Sequence, residues 1–353
     1  MPDRPPSSPL PSPTSRTALA APLLEVEDLR VTLPTARGPA QALRGVSLRI
    51  DRGETVGLIG ESGCGKSMTA LALMGLLPEG AEVSGSMRLD GTELTTLPED
   101  DWCRLRGNRL AMVFQEPMSA LNPLHRIGRQ VAEPLRVHRG LDARAARAEA
   151  LRLLERVHLP QAAQRLDSHP HQLSGGQRQR VVIAMALACR PDVLIADEPT
   201  TALDVTLQRE VLDLLDGLVR EDGMALLLIS HDLGVMADRV QRLKVMYGGT
   251  VVESGPTAAV LGRPAHPYTR GLLAARPRLG LPRGTRLQTL PGRVPDLVDL
   301  PAGCAFVDRC RWAVADCRHA PPPQTDVALD HVVRCLRTQA VQAGEPNVAV
   351  AAP

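Results

Sequence analysis

The chain has 353 residues, long enough to bury a substantial core and to divide into a large domain and a smaller one. Its formal net charge is +2 and charged residues make up 23%, so no global field favours nucleic acid or an anionic membrane. No stretch approaches the roughly 18 consecutive apolar residues of a membrane-spanning helix, so the chain is not expected to form a pore itself.

In chain order, residues 1–22 read as a disordered tail. Their opening MPDRPPSSPLPSPTSRT is rich in Pro and Ser and lacks the apolar run of a secretory signal. A cytoplasmic location is the resulting expectation, and structural disulfides are not expected there. Residues 24–50 alternate like strands with a loop over 34–39, and 54–59 form a buried strand feeding a glycine-rich loop. Residues 67–77 continue as helix; 87–94 and 110–114 are strands, followed by a Pro-punctuated loop over 115–123. Apolar recurrence at helical spacing then marks 127–137, 143–157 and 177–188, a helical insert over about 124–190. Short, wholly apolar strands return at 193–196 and 225–230, separated by an amphipathic helix over 207–219, as a parallel sheet requires. A strand-rich stretch at 240–253 ends a domain read over 23–261. Near Gly262 the composition shifts toward Pro, and four of seven cysteines fall between Cys304 and Cys335, marking a C-terminal unit over 262–340. Residues 341–353 carry no periodicity and read as a flexible tail.

Three motifs carry the chemistry. The first is GESGCGKS at 60–67, between a strand and a helix. A triphosphate is held by a ring of backbone N–H groups opening a helix, whose dipole also favours anions. Gly60, Gly63 and Gly65 permit that curled backbone; Lys66 reaches the β and γ phosphates and Ser67 ligates Mg²⁺. The full nucleotide-binding set is Gly60, Glu61, Ser62, Gly63, Cys64, Gly65, Lys66, Ser67 and Met68. A ligand-free glycine turn is the plainer reading, disfavoured by the strand before and the helix after. Of the chain's two lysines, Lys66 and Lys244, one lies in this loop.

The second motif is VLIADE at 193–198, which ends an apolar strand in two carboxylates at the ligand-binding edge of an α/β sheet. Asp197 suits the Mg²⁺ shell, and Glu198 suits a general base on the attacking water. His231 follows another strand to the same edge, placed to donate to the γ-phosphate; Gln115 is placed to position water or Mg²⁺. A structural histidine and a simple loop amide are their plainer readings.

The third motif is LSGGQ at 173–177. Ser174, Gly175, Gly176 and Gln177 open a helix and so form a second anion cradle; a serine N-cap with a flexible entry is the plainer reading, which explains Ser174 but not the pair of glycines. The helical insert carries this cradle away from its own phosphate loop, so its phosphate belongs to another molecule. ATP would then hold a dimer together.

On these residues the chain resembles the nucleotide-binding subunits of ABC transporters, over about 23–335. The resemblance implies an α/β, P-loop, RecA-like ABC nucleotide-binding domain with a helical subdomain and a small cysteine-containing C-terminal extension. It also implies head-to-tail dimers with ATP sandwiched between phosphate loop and LSGGQ. The family's D-loop matches Ala202, Leu203 and Asp204, its Q-loop Gln115 and its switch histidine His231. FQEPMSALNPL at 114–124, HPYTRGLL at 266–273 and LPGRVPDLVDLPAGCAF at 290–306 look like the ATPase subunits of oligopeptide and dipeptide importers. The same subfamily includes nickel and glutathione importers.

The implied partners are a second ATPase subunit, identical or not, two permeases contacting the 115–123 segment, and indirectly an extracytoplasmic solute-binding protein. The implied location is peripheral, on the cytoplasmic face of the membrane. Two departures stand out: the family's adenine-stacking aromatic near Leu33 is missing, no aromatic preceding Trp102, and Arg311 replaces a usual Pro after Cys310.

Cys304, Cys310, Cys317 and Cys335 read as a metal site before disulfides, and their spacing favours a 4Fe-4S cluster over Zn²⁺. Similar patterns in peptide-importer ATPases point the same way, and buried unliganded cysteines are the alternative. Cys64, Cys103 and Cys189 are scattered and read as packing residues, although Cys64 lies inside the phosphate loop, where oxidation-sensitive ATP binding is a further expectation. The reading is therefore an ATPase coupled to solute import. A soluble ABC protein of translation or DNA repair, or an ATPase of a non-transport complex such as phosphonate breakdown, are the competitors.

Overall fold

The computed structural model describes residues 21–276, except 116 and 202, and residues 289–344. The tails read from sequence therefore lie mostly outside the described residues, and Ala202 of the D-loop match lies outside them too. Strands in chain order are β1 Leu24–Thr35, β2 Gly38–Ile50, β3 Thr55–Ile59, β4 Glu82–Leu89, β5 Thr92–Glu93 and β6 Leu110–Val113. They continue as β7 Val193–Asp197, β8 Ala225–Ile229, β9 Arg242–Tyr247, β10 Thr250–Pro256, β11 Thr325–Ala328 and β12 His331–Val333.

One sheet is antiparallel, in the order β2-β1-β4-β5; the other has eight strands, β11-β12-β10-β9-β3-β8-β7-β6. In the larger sheet the neighbours from β6 to β9 run parallel. β7 (VLIAD) and β8 (ALLLI) are buried at every residue, as parallel strands covered on both faces must be. Leu58 pairs with Ile229, Asp197 with Ile229 and Val113 with Ala196, so β3, β8, β7 and β6 end at one edge. The phosphate loop and the segments holding Gln115, Glu198 and His231 all leave from that edge.

The helical segments over 127–139, 143–156 and 175–186 share one apolar core through Val131, Leu135, Ala150, Leu154, Val181 and Ile183. Asp142 starts the second by accepting from the Ala145 N–H at 2.8 Å, and Gly140, in the left-handed region at φ 64°, ends the first.

Several element readings change. The 34–39 loop is a continuation of the hairpin, with Pro34 paired to Pro39 and a tight turn between Thr35 and Gly38. The helix expected over 67–77 is Lys66–Leu73: Gly75 turns left-handed at φ 62°, and a Cβ there would meet the Trp102 ring at 2.6 Å. The strand expected over 87–94 is β4 at 82–89, closed by the Asp90-Gly91 turn, both residues at positive φ. In the C-terminal segment, β12 pairs with β10 and extends the main sheet. The buried Glu253 carboxylate ties this seam, accepting from the Ala265 and His266 N–H groups at 2.7 and 3.0 Å and pairing with His331 Nε2 at 2.8 Å.

Candidate active site

The phosphate loop runs from the end of β3 into the helix Lys66–Leu73. A side chain at Gly60 would collide with the Met246 carbonyl oxygen, and one at Gly65 (φ 106°) would sit 2.9 Å from Leu43. Lys66 is 6% exposed and arches back over the loop, its Nζ donating to the Gly60 and Glu61 carbonyls at 2.9 and 3.2 Å. Ser67 hydrogen-bonds Asp197 on the next-but-one strand. Asp197 is 3% exposed, and burial raises its carboxyl above the ordinary value; the Ser67 hydroxyl opposes that shift.

Asp197 Oδ1 is buried without a hydrogen-bond partner among the described residues. A bare buried acceptor beside a serine hydroxyl and a lysine is costly unless a cation completes it, so the site fits Mg²⁺ and the triphosphate it would accompany. The three acid–base candidates converge on one atom. Glu198 Oε2 accepts from Gln115 Nε2 at 3.2 Å and from Thr201 Oγ1 at 3.0 Å, and lies 3.3 Å from His231 Nδ1. Glu198 holds φ 46°, an uncommon conformation for a non-glycine residue, fixed by its N–H bond to Ile229 O at 2.9 Å. Sequence reading missed Thr201, although it lies three residues beyond Glu198 in the same turn.

Gln115, Glu198 and His231 line a cavity of about 420 Å³ together with Ser62, Gly63, Gly65, Lys66, Ser67 and Met68. A larger cavity of about 660 Å³, around Lys244 between the two sheets, contains none of them. Loop chemistry rather than size identifies the site. Three of the nine phosphate-loop residues expected to bind nucleotide, Gly60, Glu61 and Cys64, do not line it. Glu61 turns away to Arg309, and Cys64 is fully buried, its thiol pushed up mainly by burial. A protonated, inaccessible thiol is inert, which corrects the expectation of oxidation sensitivity.

LSGGQ is likewise absent from this cavity. Ser174 N-caps the helix Gly175–Ala186, its Oγ accepting from the Gln177 N–H at 3.4 Å while Gln177 Oε1 accepts from the Ser174 N–H at 3.0 Å. Ser174 and Gly175 face solvent. Gly176 is buried against Leu207, on the helix Val205–Asp222 that Asp204 caps through Oδ1 at 3.0 Å to the Thr206 and Leu207 N–H groups. Asp204 thus serves its own helix in the single chain.

Cys304, Cys310, Cys317 and Cys335 line one narrow cavity with Phe306 and Trp312. Burial raises the Cys304 thiol and pushes Cys310 to about 12 and Cys335 to about 11, with neighbouring thiols adding to each shift. Among the described residues, no three side chains converge closely enough to hold one metal ion.

The ABC transporter family matches residues 43–201, and the C-terminal region of oligopeptide/dipeptide transporters matches residues 252–317. A protein of Brucella abortus (strain 2308), whose name places it among peptide import ATP-binding proteins, is 49% identical over 334 residues, 91% of this chain and 99% of that one. The oligopeptide transport ATP-binding protein OppD of Salmonella typhimurium is 47% identical over 313 residues, covering 87% and 93%. A solved dimeric ATP-binding cassette in a post-hydrolysis state, bound to ADP and Pi, superposes with a TM-score of 0.60 at 30% identity, over 66% of this chain and 98% of that one. The chain therefore belongs to the ATP-binding subunits of ABC transporters, in the group that carries the oligopeptide/dipeptide C-terminal region.

Proposed function

We propose that the chain hydrolyses ATP to power peptide import through partner permeases, on the cytoplasmic face of the membrane. The observation that carries the reading is the convergence of Gln115, Thr201 and His231 on one Glu198 oxygen, beside the orphaned Asp197. In this reading the loop amides and Lys66 hold the β and γ phosphates, and Ser67, Asp197 and Gln115 hold Mg²⁺. MgATP supplies the transferable phosphoryl group. Glu198 takes the proton of the attacking water as its oxygen bonds to the γ-phosphorus and the bond to the bridging oxygen breaks. Thr201 and Gln115 orient that carboxylate, and His231 steadies the γ-phosphate.

Ser174, Gly175, Gly176 and Gln177 cap the nucleotide of a second ATPase subunit, which needs no nucleic acid. Residues 23–261 form the motor, and 262–340 the C-terminal extension, whose four cysteines hold a 4Fe-4S cluster. The names of the relatives support a peptide cargo; nickel or glutathione import, or a non-transport complex such as phosphonate breakdown, are the alternatives. Replacing Glu198 with Gln should lower turnover at least 100-fold and accumulate an ATP-bound dimer, read by phosphate release and gel filtration. Unchanged turnover removes Glu198 as the base. Affinity purification from native membranes tests the assignment: two permeases should accompany the chain, whereas soluble enzymes alone would move it to another machine. Anaerobically purified protein should contain iron and sulfide and absorb near 400 nm; colourless, iron-free protein rejects the cluster.

A further inference from the structure

The lining of the 420 Å³ cavity divides by chemistry. Its polar side holds the phosphate loop with Gln115, Glu198 and His231; the remaining side chains are Leu33 on β1, Ala42 on β2, Met68 and Leu297. Leu297 comes from the C-terminal segment, far from the others in sequence. Its placement is fixed twice. Asp296 accepts from the Val298 and Asp299 N–H groups, through Oδ1 at 3.3 Å and its carbonyl at 2.9 Å, which folds a turn around Leu297. The Arg37 guanidinium, in the turn between β1 and β2, then pairs with both flanking carboxylates, Asp296 at 2.7 Å and Asp299.

We propose that Leu297 and Leu33 form an apolar clip on the nucleobase, so that the C-terminal segment completes the nucleotide site and determines its base specificity. The inference rests on the nucleotide reading of the phosphate loop. With no aromatic before Trp102 in the sequence, contact area from two leucines replaces stacking. None of the four apolar lining residues carries a polar side chain that would read a base edge, so purines are held by size. ATP and GTP bind alike, and pyrimidine nucleotides bind more weakly. The staple is exposed and ionic, so high salt loosens the clip.

The test is equilibrium titration of the full chain with MgATP, MgGTP, MgCTP and base-free magnesium tripolyphosphate. Leu297→Ala should weaken ATP and GTP about tenfold and leave tripolyphosphate unchanged, the loss expected for removing one leucine contact. Arg37→Ala, a surface change, should weaken ATP in the same direction and remove the salt dependence that ATP shows beyond that of tripolyphosphate, which keeps the test sound if Leu297→Ala misfolds. An ATP Kd within twofold of the parent in both variants, or an equal loss for tripolyphosphate, overturns the clip. A parent chain that binds neither ATP nor tripolyphosphate overturns the nucleotide reading instead.

Discussion

Asp197 and Glu198 are neighbours in sequence with opposite surroundings: one carboxylate is sealed at the end of β7, the other opens into the cavity mouth. Burial also acts on Lys244, which is 6% exposed and donates to Ser254 Oγ at 3.1 Å. Burial first, and then the like charge of Arg242, lower its ammonium to about 8. In the unfolded chain the same group titrates near 10.4. Below pH 8 both states are protonated and the folded state carries the whole burial penalty. Between pH 8 and about 10.4 the unfolded state holds the extra proton, so this group makes stability rise with pH. Lys244→Met should therefore stabilise the chain at pH 7 by on the order of 2 kcal/mol and flatten that rise. Urea unfolding at pH 7 and pH 10 reads both effects, and an unchanged midpoint with the slope intact would show that Lys244 carries no such penalty.

Among elements, the C-terminal segment grips the phosphate loop directly. Arg309 is 6% exposed; it donates to both Glu61 carboxylate oxygens at 2.6 and 3.0 Å and to Pro291 O at 2.8 Å. Glu61 pairing raises the guanidinium further above its ordinary range. The Glu61 N–H donates to Tyr268 Oη at 2.7 Å; Tyr247 and Phe306 pack edge to face at the junction, and Tyr268 tilts against both. Arg309→Met leaves Glu61 unpaired and should cost about 2 kcal/mol of stability, together with weaker ATP binding. Arg309→Lys should rescue little, because a point charge cannot make the paired contact. Thermal unfolding and an ATP titration of both variants check this; full rescue by Lys would reduce the pair to simple charge.

The strand, loop and helix around 54–73, the all-apolar strands and the Ser174 cap were legible because each is local, written in period, glycine placement and capping chemistry. The Asp90-Gly91 turn was equally local and was overlooked. Arg309 with Glu61, Leu297 in the cavity and β12 beside β10 were not legible, since residues distant in sequence meet only through the tertiary fold.

In the whole molecule, the phosphate loop and LSGGQ occupy separate places in one chain. The cavity that holds Lys66 lacks Ser174, and Ser174 and Gly175 face solvent. Under the proposed function a closed site takes two chains, the loop from one and the cradle from the other. Lys66→Met should abolish hydrolysis by removing the phosphate cation, and Ser174→Arg should abolish it by blocking the cradle. Mixed together, the two variants form dimers in which one site carries both lesions and the other carries neither. Half of randomly paired dimers are mixed and one of their two sites is intact, so about a quarter of parental turnover should return if sites act independently. A site completed within one chain would give no recovery at any mixing ratio. The size of the recovered activity also measures coupling: a return well below a quarter means that one intact site cannot turn over while its neighbour is blocked.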